Sequence, residues 1–258
     1  MTDVSVIGCG NMGSALVKGL SKTDDYTLTA CDLDPDALDS VAEYCSTTTS
    51  DLDVAAESDV VVVALKPDIV QPVVTDLDLS ADQTLVSLAA GVSTDTLEPH
   101  TDATVVRVMP NLAAETENMA AAVTEHSVTD TVREILDAVG EFVEIDEQQM
   151  DIATAVNGSG PAFVFYLLNA MKQAGVDGGL EDDEAKTLAA QTFKGAAETV
   201  LQSDQSIDDL IDAVCSPKGT TIEGMDVLWD SDADEAVVDA VSAAERRSKE
   251  LATESENA

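Results

Sequence analysis

The chain has 258 residues, with 12 Lys or Arg against 51 Asp or Glu, which gives a formal net charge of −39. This charge excludes nucleic acid and anionic membrane surfaces as partners, because both would be repelled. It does not indicate disorder, since 45% of the residues are hydrophobic and the acids are interspersed among them. We interpret the acids as a solvated surface adapted to high salt, and we hypothesise a halophilic archaeal source.

Metal-binding and targeting signals are absent from the sequence. The four cysteines form no C-x-x-C pair and there are only two histidines, so no metal site is predicted. No apolar run reaches membrane length, and a strand pattern begins almost at residue 1, so no signal peptide is expected. The sequence therefore predicts a cytoplasmic protein with reduced thiols.

The first predicted elements form a dinucleotide-binding motif. A strand over residues 5–7 is followed by G-C-G-N-M-G at residues 8–13, and a helix runs from Met12 to about Lys22. In such a loop the first glycine permits the tight turn and the second lets the backbone approach a pyrophosphate. The third lets the helix pack closely on the strand. The amides at the helix N-terminus would then face the phosphates.

An acidic residue stands where this motif requires one. Asp32 directly follows the second predicted strand, Y-T-L-T-A-C. It is placed to hydrogen-bond the ribose hydroxyls of the cofactor. A carboxylate there would repel a 2′-phosphate, so of the two cofactors NADPH and NADH we predict that NADH is used at least as well. The alternative is that Asp32 is one more surface acid.

Three further strands, over residues 59–65, 84–88 and 104–108, alternate with predicted helices, as in a parallel Rossmann-type sheet. The carboxyl ends of parallel strands line one crevice, where ligands bind. Lys66 lies at this crevice and is either cofactor-facing, which we favour, or a solvated lysine. The candidate cofactor-binding residues are Gly8, Cys9, Gly10, Asn11, Met12, Gly13, Asp32, Ala64, Leu65, Lys66, Pro67, Ala89, Ala90, Gly91 and Asn111.

Beyond residue 147 the sequence predicts helices only. The first, over residues 150–175, is apolar nearly all round and is interrupted at residues 158–161 (G-S-G-P), where a kink or break is expected. We predict that it is buried in an obligatory dimer interface; the alternative is the central helix of a monomeric bundle. The predicted fold is thus α/β plus all-α: a Rossmann-type parallel sheet in residues 1–146 and a helical substrate and dimerisation domain in residues 147–258.

Two loops of the second half are rich in small residues and backbone donors. Residues 157–162 (N-G-S-G-P-A) contain Ser159, and residues 215–222 (C-S-P-K-G-T-T-I) lead into a helix at Thr220 and Thr221. Amides at that helix N-terminus could bind a small carboxylate. The alternative is that Ser216 and Thr220 merely cap the helix, which cap statistics alone favour.

These motifs, in this order and spacing, resemble the pyrroline-5-carboxylate reductase family over nearly the whole chain. The resemblance rests on residues 7–13, 64–67, 89–91, 107–111 (R-V-M-P-N) and 158–165 (G-S-G-P-A-F-V-F). Its most specific part is S-P-K-G-T-T-I at residues 216–222, where the usual family form is S-P-G-G-T-T-I. The resemblance implies NAD(P)H-dependent reduction of the cyclic imine 1-pyrroline-5-carboxylate to L-proline, the final step of proline biosynthesis, by an oxidoreductase acting on CH–NH.

The resemblance also implies roles for individual residues. The loop over residues 216–221 would hold the substrate carboxylate, and the Thr221 hydroxyl would face the ring nitrogen as the catalytic group. A protonated imine is already electrophilic, so neither histidine nor metal is required, and a positioned hydroxyl can assist the proton step. A homodimer through an interlocking helical domain is implied, with higher assemblies of dimers in some members. The candidate substrate-binding residues are Ser159, Ser216, Gly219, Thr220 and Thr221.

Three departures from the family pattern stand out. Lys218 replaces the first glycine of the substrate loop, Asn157 replaces the usual Ser or Thr, and Leu-Ala replaces Thr-Pro after Asn111. Lys218 could add a cation near the substrate carboxylate or point to solvent; we favour solvent, because the backbone can bind unaided. Two other functions remain as alternatives: a related imine or β-hydroxyacid oxidoreductase, and a dinucleotide-binding regulatory protein without turnover.

Overall fold

The computed structural model of the chain describes residues 1–256; residues 257 and 258, which the predicted helical domain includes, lie outside that range. By internal contacts the chain forms two compact units. The sheet unit comprises Met1–Ser159 together with the segment from Ser242, and the helical unit comprises Gly160–Val241. The functional division that we expect after residue 146 stays a prediction.

The sheet unit contains one eight-stranded sheet in the order β3-β2-β1-β4-β5-β6-β7-β8. The order 3-2-1-4-5-6 in its first part is that of a Rossmann fold. Its strands are β1 (Thr2–Ile7), β2 (Tyr26–Cys31), β3 (Thr47–Thr49), β4 (Val60–Val63), β5 (Thr84–Ser87), β6 (Thr104–Pro110), β7 (Met119–Thr124) and β8 (Gly140–Ile145).

The expected Rossmann-type architecture is confirmed, but the sheet is longer than predicted and is not wholly parallel. The strands β3, β7 and β8 were not predicted, and β7 runs antiparallel to β6. The sequence of β7, M-A-A-A-V-T, lacks the β-branched run that marked the other strands. It pairs because β6 and β8 flank it on both sides, and such tertiary context overrides local propensity.

Short helices follow the strands and cover both faces of the sheet. Their apolar sides form two buried clusters, one around Val6, Leu16 and Val106, the other around Val61, Val70 and Leu97. Pro35 opens its helix at a position where proline is tolerated, as expected. The helices of this part are α1 (Asn11–Leu20), α2 (Pro35–Asp39), α3 (Leu52–Ala55), α4 (Pro67–Asp76), α5 (Thr94–Leu97), α6 (Asp130–Asp137) and α7 (Met150–Ala153).

A π-helical turn, Thr154–Gly158, follows α7 and ends at the first residue of the predicted interruption, whereas Gly160 already begins the next helix. Its closing bond runs from the amide of Ser159 to the carbonyl of Thr154, at 3.1 Å. The remaining helices are α8 (Gly160–Asp177), α9 (Asp182–Gln202), α10 (Ile207–Val214), α11 (Thr220–Trp229) and α12 (Ala233–Glu256). Among the described residues, no helix has both the length and the apolar character needed to cross a membrane.

The helical unit buries very little side chain by itself. Of α8, α10 and α11 no residue is buried, and α9 buries only Ala185 and Ala189. The alternative of a central helix in a monomeric bundle is therefore wrong, because α8 has no core of its own chain around it. Its exposed apolar side chains are Val164, Phe165, Tyr166, Leu167 and Met171.

Candidate active site

The glycine loop between β1 and α1 has the backbone that a dinucleotide requires. Gly8 has a φ of 95°, and a Cβ there would lie 2.6 Å from the carbonyl oxygen of Ala64. A Cβ at Gly13 would lie 1.9 Å from the carbonyl oxygen of Gly8, so only glycine lets helix and strand approach this closely. Gly10 faces open space, and the first turn of α1 has no side-chain cap. The amides of this turn are thus available to a phosphate.

The carboxylate of Asp32 is already engaged by the loop it was expected to serve. Its Oδ2 accepts a hydrogen bond from the amide of Cys9 at 2.6 Å, and its Oδ1 accepts one from the amide of Asp34 at 2.9 Å. An ionised carboxylate has about four acceptor positions, so capacity for ribose hydroxyls remains. The surface-acid interpretation of Asp32 is too narrow, because this side chain fixes the glycine loop.

A cleft of about 190 Å³ opens beside Asp32 and Gly8. Its other walls are mostly apolar, as a flat heteroaromatic ring system requires. None of its lining residues carries a positive charge. Of these wall residues, the sequence predicted only Leu65. Apolar residues directly after β2 and along the start of α4 were the available signal for others. The wall residues are Ile7, Cys31, Leu33, Ser50, Leu52, Leu65, Ile69 and Val73.

The cysteines near the loop are not activated. Burial, aided by the charge of Asp32, raises the pKa of the Cys9 thiol to about 12. Burial and the same carboxylate raise the pKa of Cys31 to about 11. Both thiols therefore stay protonated at neutral pH, and neither is a nucleophile.

The other predicted cofactor residues lie at the carboxyl ends of β4, β5 and β6, along one edge of the sheet. Lys66 is exposed and stands directly before α4. Gly91 has a φ of 72°, and a Cβ there would lie 3.0 Å from the Cα of Ala252. Ala90 packs on the small cluster of Met109, Ala122 and Met150. The structure thus brings the predicted cofactor residues together along one edge.

Two asparagine side chains hold the end of β6. The Nδ2 of Asn157 donates to the carbonyl oxygens of Met109 and Ala120, at 2.6 and 3.2 Å. The Oδ1 of Asn111 accepts from the amides of Ala113 and Ala120, at 3.0 and 3.3 Å. The Oδ1 of Asn157 is buried without a hydrogen-bond partner among the described residues. The sequence marked Asn157 only as a departure from the family pattern.

A buried ion pair lies on the same strand. Arg107 is 5% exposed, and its guanidinium contacts the carboxylate of Glu147. Two further nitrogens of Arg107, Nε and Nη2, have no hydrogen-bond partner among the described residues. This pair joins β6 to the residues that lead into α7. The only sequence signal for it is the R-V-M-P-N motif.

The predicted substrate loop lies within the helical unit, in the turn before α11. Gly219 is the N-cap of that helix, and its amide donates to the carbonyl of Ser216 at 2.9 Å. A Cβ at Gly219 would lie 2.9 Å from the carbonyl oxygen of Ser216, so the turn requires glycine there. Thr220 and Thr221 are both exposed, while Ser159 is half-buried at the end of the π turn.

No side chain caps α11. The interpretation that Ser216 and Thr220 serve only as caps is therefore wrong, and the amides of the first turn are available to an anion. Lys218 is exposed, as expected, and has a φ of 62°. This left-handed conformation favours glycine, which the usual family form has at this position.

The described residues contain no cluster of three or more His, Cys, Asp or Glu that could hold a metal ion.

Comparison with known proteins places these features in a family. Residues 147–251 match the sequence model of pyrroline-5-carboxylate reductase dimerisation, and residues 3–91 match that of NADP oxidoreductase, coenzyme F420-dependent. A pyrroline-5-carboxylate reductase of Methanosarcina acetivorans is 36% identical over 96% of this chain and 97% of its own length. The chain belongs to the pyrroline-5-carboxylate reductase family.

Solved structures of the family agree with the fold. A pyrroline-5-carboxylate reductase from Coxiella burnetii matches with a TM-score of 0.86 and 32% identity, covering 97% of this chain and 98% of that one. The Plasmodium falciparum pyrroline carboxylate reductase with NADP bound matches with a TM-score of 0.83 and 30% identity over the same shares. The predicted family and its class, an NAD(P)H-dependent oxidoreductase, are thereby confirmed.

Proposed function

We propose that this family member reduces 1-pyrroline-5-carboxylate to L-proline, and that residues 216–221 hold the substrate. The observation that carries the proposal is the first turn of α11, which has exposed threonine hydroxyls and no side-chain cap. The substrate carboxylate would accept hydrogen bonds from the amides of this turn, and the positive end of the helix dipole favours its charge.

The Thr221 hydroxyl is the group we assign to the ring nitrogen. During reduction the imine carbon gains a hydride. A neutral imine nitrogen also gains one proton, which a water held by the Thr221 hydroxyl can supply, whereas a protonated nitrogen keeps the proton it has. The nicotinamide supplies that hydride when the cofactor is bound. Most of the acceleration should come from orientation of the two reactants, because a protonated imine is already electrophilic.

The residues at the carboxyl edge of the sheet fit the cofactor. The glycine loop at residues 8–13 would hold the pyrophosphate, Asp32 the ribose, and the apolar cleft beside it the adenine ring. Residues 64–67, Ala89, Ala90, Gly91 and Asn111 would line the rest of the binding edge.

We further propose that NADH is used at least as well as NADPH. The charge that a 2′-phosphate would meet is the Asp32 carboxylate, which two backbone amides hold in place. No lysine or arginine lines the adjoining cleft to offset it. Repulsion between these anions weakens NADPH binding, although salt screens part of it.

A homodimer through residues 147–251 is the assembly that we propose, and we propose that dimers associate further. The exposed apolar side chains of α8 support the dimer, since a monomer rarely leaves such a surface in water. We also propose adaptation to high salt, from the net charge of −39, and a halophilic archaeal source. A cytoplasmic location is proposed from the four free cysteines, which a reducing compartment preserves.

The test of the reaction is cofactor oxidation by the purified protein in molar KCl with 1-pyrroline-5-carboxylate. Thr221→Ala should lower kcat by roughly a factor of 10 to 100, because one proton-assisting hydroxyl is lost. Thr221→Ser should retain most of the activity, and Thr192→Ala, in an exposed turn of α9, is the matched control. Absence of turnover by the folded wild-type protein would refute the proposed reaction and favour the imine-analogue or non-catalytic alternatives.

The test of cofactor choice is Asp32→Asn, which keeps an acceptor for the Cys9 amide and removes the charge. We expect the ratio of kcat/KM for NADPH to that for NADH to rise about tenfold. Asp36→Asn, an exposed residue of α2, removes the same charge away from the cleft and should leave the ratio unchanged. A wild-type enzyme that clearly prefers NADPH at the same salt concentration would refute the preference.

A further inference from the structure

The end of β6 is paired with a neighbouring strand on one side only. On one side, β5 ends at Ser87, which pairs with Arg107, so the residues after Arg107 have no partner there. On the other side, Pro110 pairs with Ala121 but has no amide hydrogen to donate. Additional hydrogen-bond donors are therefore needed to hold the end of β6, residues 108–110, in one position.

Asn157 supplies those donors. Its Nδ2 lies 2.6 Å from the carbonyl oxygen of Met109 and 3.2 Å from that of Ala120, and it has one hydrogen for each. The carbonyl of Ala120 also accepts the amide of Asn111 at 3.1 Å. One side chain thus links the last residues of β6 to the start of β7.

The π-helical turn is what brings the amide there. A π turn inserts one residue into a helix and rotates the side chains that follow, and such turns often occur at functional sites. Asn157 lies inside this turn, which closes at Ser159. These contacts all lie within the sheet unit.

The residue type matters, because the usual family residue is Ser or Thr. A hydroxyl has one hydrogen and a shorter reach, so it can donate to only one of the two carbonyl oxygens. The carboxamide can donate to both. Its orientation is fixed, because a flipped carboxamide would place Oδ1 against these two carbonyl oxygens. This chain therefore holds the end of β6 with a second hydrogen bond that a serine cannot provide.

We propose that Asn157 is a positioning residue that fixes residues 109–111 against the nicotinamide end of the cofactor. This inference rests on the proposed function, which places Asn111 on the cofactor-binding edge. Asn157 acts through the backbone of Met109 and Ala120. Its loss should therefore impair the orientation for hydride transfer more than the binding of the cofactor, whose adenosine half is held by residues around Asp32.

The test compares three Asn157 variants with the wild-type enzyme in molar KCl. Asn157→Asp keeps the shape but places an acceptor against two carbonyl oxygens, and we expect kcat to fall about tenfold or more, since small misplacements of reactants are costly. The dissociation constant for NADH should change by less than about threefold, a range too small to account for the loss of rate. The isotope effect on kcat with deuterated NADH should rise, because hydride transfer becomes slower than product release.

Two further variants and a control define the role. Asn157→Ser should lose less activity than Asn157→Ala, because one of the two bonds can still form. Val156→Ala, the preceding and 58% exposed residue of the same turn, should leave kcat, the NADH dissociation constant and the isotope effect unchanged. If Asn157→Asp folds and has the wild-type kcat and isotope effect, or if its loss of rate follows weaker NADH binding alone, the proposal is wrong.

Hydrogen exchange, which requires no turnover, tests this proposal independently of the proposed reaction. In the cofactor-free protein, hydrogen exchange at the Asn111 amide should be faster in Asn157→Ser than in the wild type. The Ala120 carbonyl, which accepts the Asn111 amide, loses its second hydrogen bond from residue 157. Unchanged exchange would refute the positioning role. An inactive wild-type enzyme with the expected exchange difference would instead refute only the reaction. If Asn157→Asp fails to fold, kcat, the NADH dissociation constant and the isotope effect are measured on Asn157→Ser instead.

Discussion

The sheet unit and the helical unit differ in how much apolar side chain each buries within its own chain. The sheet has buried clusters on both faces, whereas α8 leaves Phe165 67% and Tyr166 77% exposed. A core made within one chain stabilises that chain at any concentration, but a face completed by a second chain stabilises it only when the two associate. The stability of the helical unit should thus depend on assembly, and that of the sheet unit on its own packing.

The largest effect is expected when the exposed face of α8 receives a charge. Tyr166→Glu should prevent association and lower the helical content, because an unpaired buried carboxylate in the interface costs several kcal/mol, on the order of the whole stability of a domain. Light scattering and far-UV circular dichroism in molar KCl measure both quantities.

Val143→Glu is the matched control for that substitution. Val143 is 61% exposed on β8, in the sheet unit, and the same charge there should change neither association nor helicity. If Tyr166→Glu stays dimeric with full helicity, the distinction between the two units fails.

A smaller effect is expected from an ion pair inside the sheet unit. Glu147→Gln leaves the guanidinium of Arg107, which is 5% exposed, without its counter-charge. Removing one partner of a buried pair costs 3–5 kcal/mol, and since Glu147 is partly exposed we expect a loss of about 2–4 kcal/mol in the free energy of unfolding. Urea denaturation measures it.

Glu144→Gln provides the comparison for Glu147→Gln. Glu144 pairs with Arg133 on the surface of the same unit, where the Arg133 guanidinium holds the pKa of the Glu144 carboxyl below its usual range. Surface pairs contribute little, so this variant should be the less destabilised of the two. Equal losses in the free energy of unfolding would show that the burial of Arg107 does not determine the cost of removing its partner.

The buried thiols of the sheet unit predict a loss of stability at alkaline pH. The pKa of Cys9 is raised from 9.0 to about 12 and that of Cys31 to about 11, both chiefly by burial. A group whose folded pKa is raised stabilises the protein fully below its unfolded pKa, and this contribution is lost as the pH rises through the folded pKa. The free energy of unfolding should therefore fall between pH 9 and 12.

Cys9→Ala tests the cause of that pH dependence. The variant should have a flatter stability profile above pH 9, the ordinary thiol pKa, and an unchanged profile below it. Denaturation midpoints measured along a pH series in molar KCl give both slopes. An identical slope in the variant would assign the alkaline loss to other groups.

The smallest effect concerns one backbone conformation in the helical unit. Lys218→Gly should relieve a left-handed residue with a φ of 62°. The relief of about 1 kcal/mol is partly offset by the entropy of glycine in the unfolded chain, so we expect a net gain of about 0.5 kcal/mol. The thermal midpoint of the dimer measures it.

Lys194→Gly has the opposite expected sign. Lys194 is an exposed residue inside α9, where glycine costs about 1 kcal/mol. If both substitutions destabilise the protein, the conformation of Lys218 stores no strain.

Sequence patterns were sufficient where one local rule determines the structure. The glycine loop, the strand of four valines in β4 and the break before Gly160 all follow from the residue types at those positions. The alanines of β7 have no such local preference, and the strand forms only because β6 and β8 lie beside it. Its antiparallel direction is likewise a property of the whole sheet.

The site could be predicted as a set of residues but not as a set of contacts. Motif spacing placed Asp32 near the cofactor, yet its bond to the Cys9 amide depends on the paths of two separate loops. The two bonds made by Asn157 join residues far apart in the chain, and no local pattern reports such a pairing. Lysine gives no signal of the positive φ of Lys218; only the glycine that the usual family form has at this position indicates it.

The sheet unit is discontinuous in the chain, and this bears on its synthesis. Its last segment begins at Ser242, where Ser248 donates a hydrogen bond to Asp151 at 2.6 Å and Ala252 lies against the turn at Gly91. As the chain leaves the ribosome, all eight strands emerge before this segment does. The nascent sheet can pair its strands during translation, but the Gly91 turn at the cofactor edge is covered only after the whole helical unit has been made. Completion of that edge therefore follows synthesis of the helical unit.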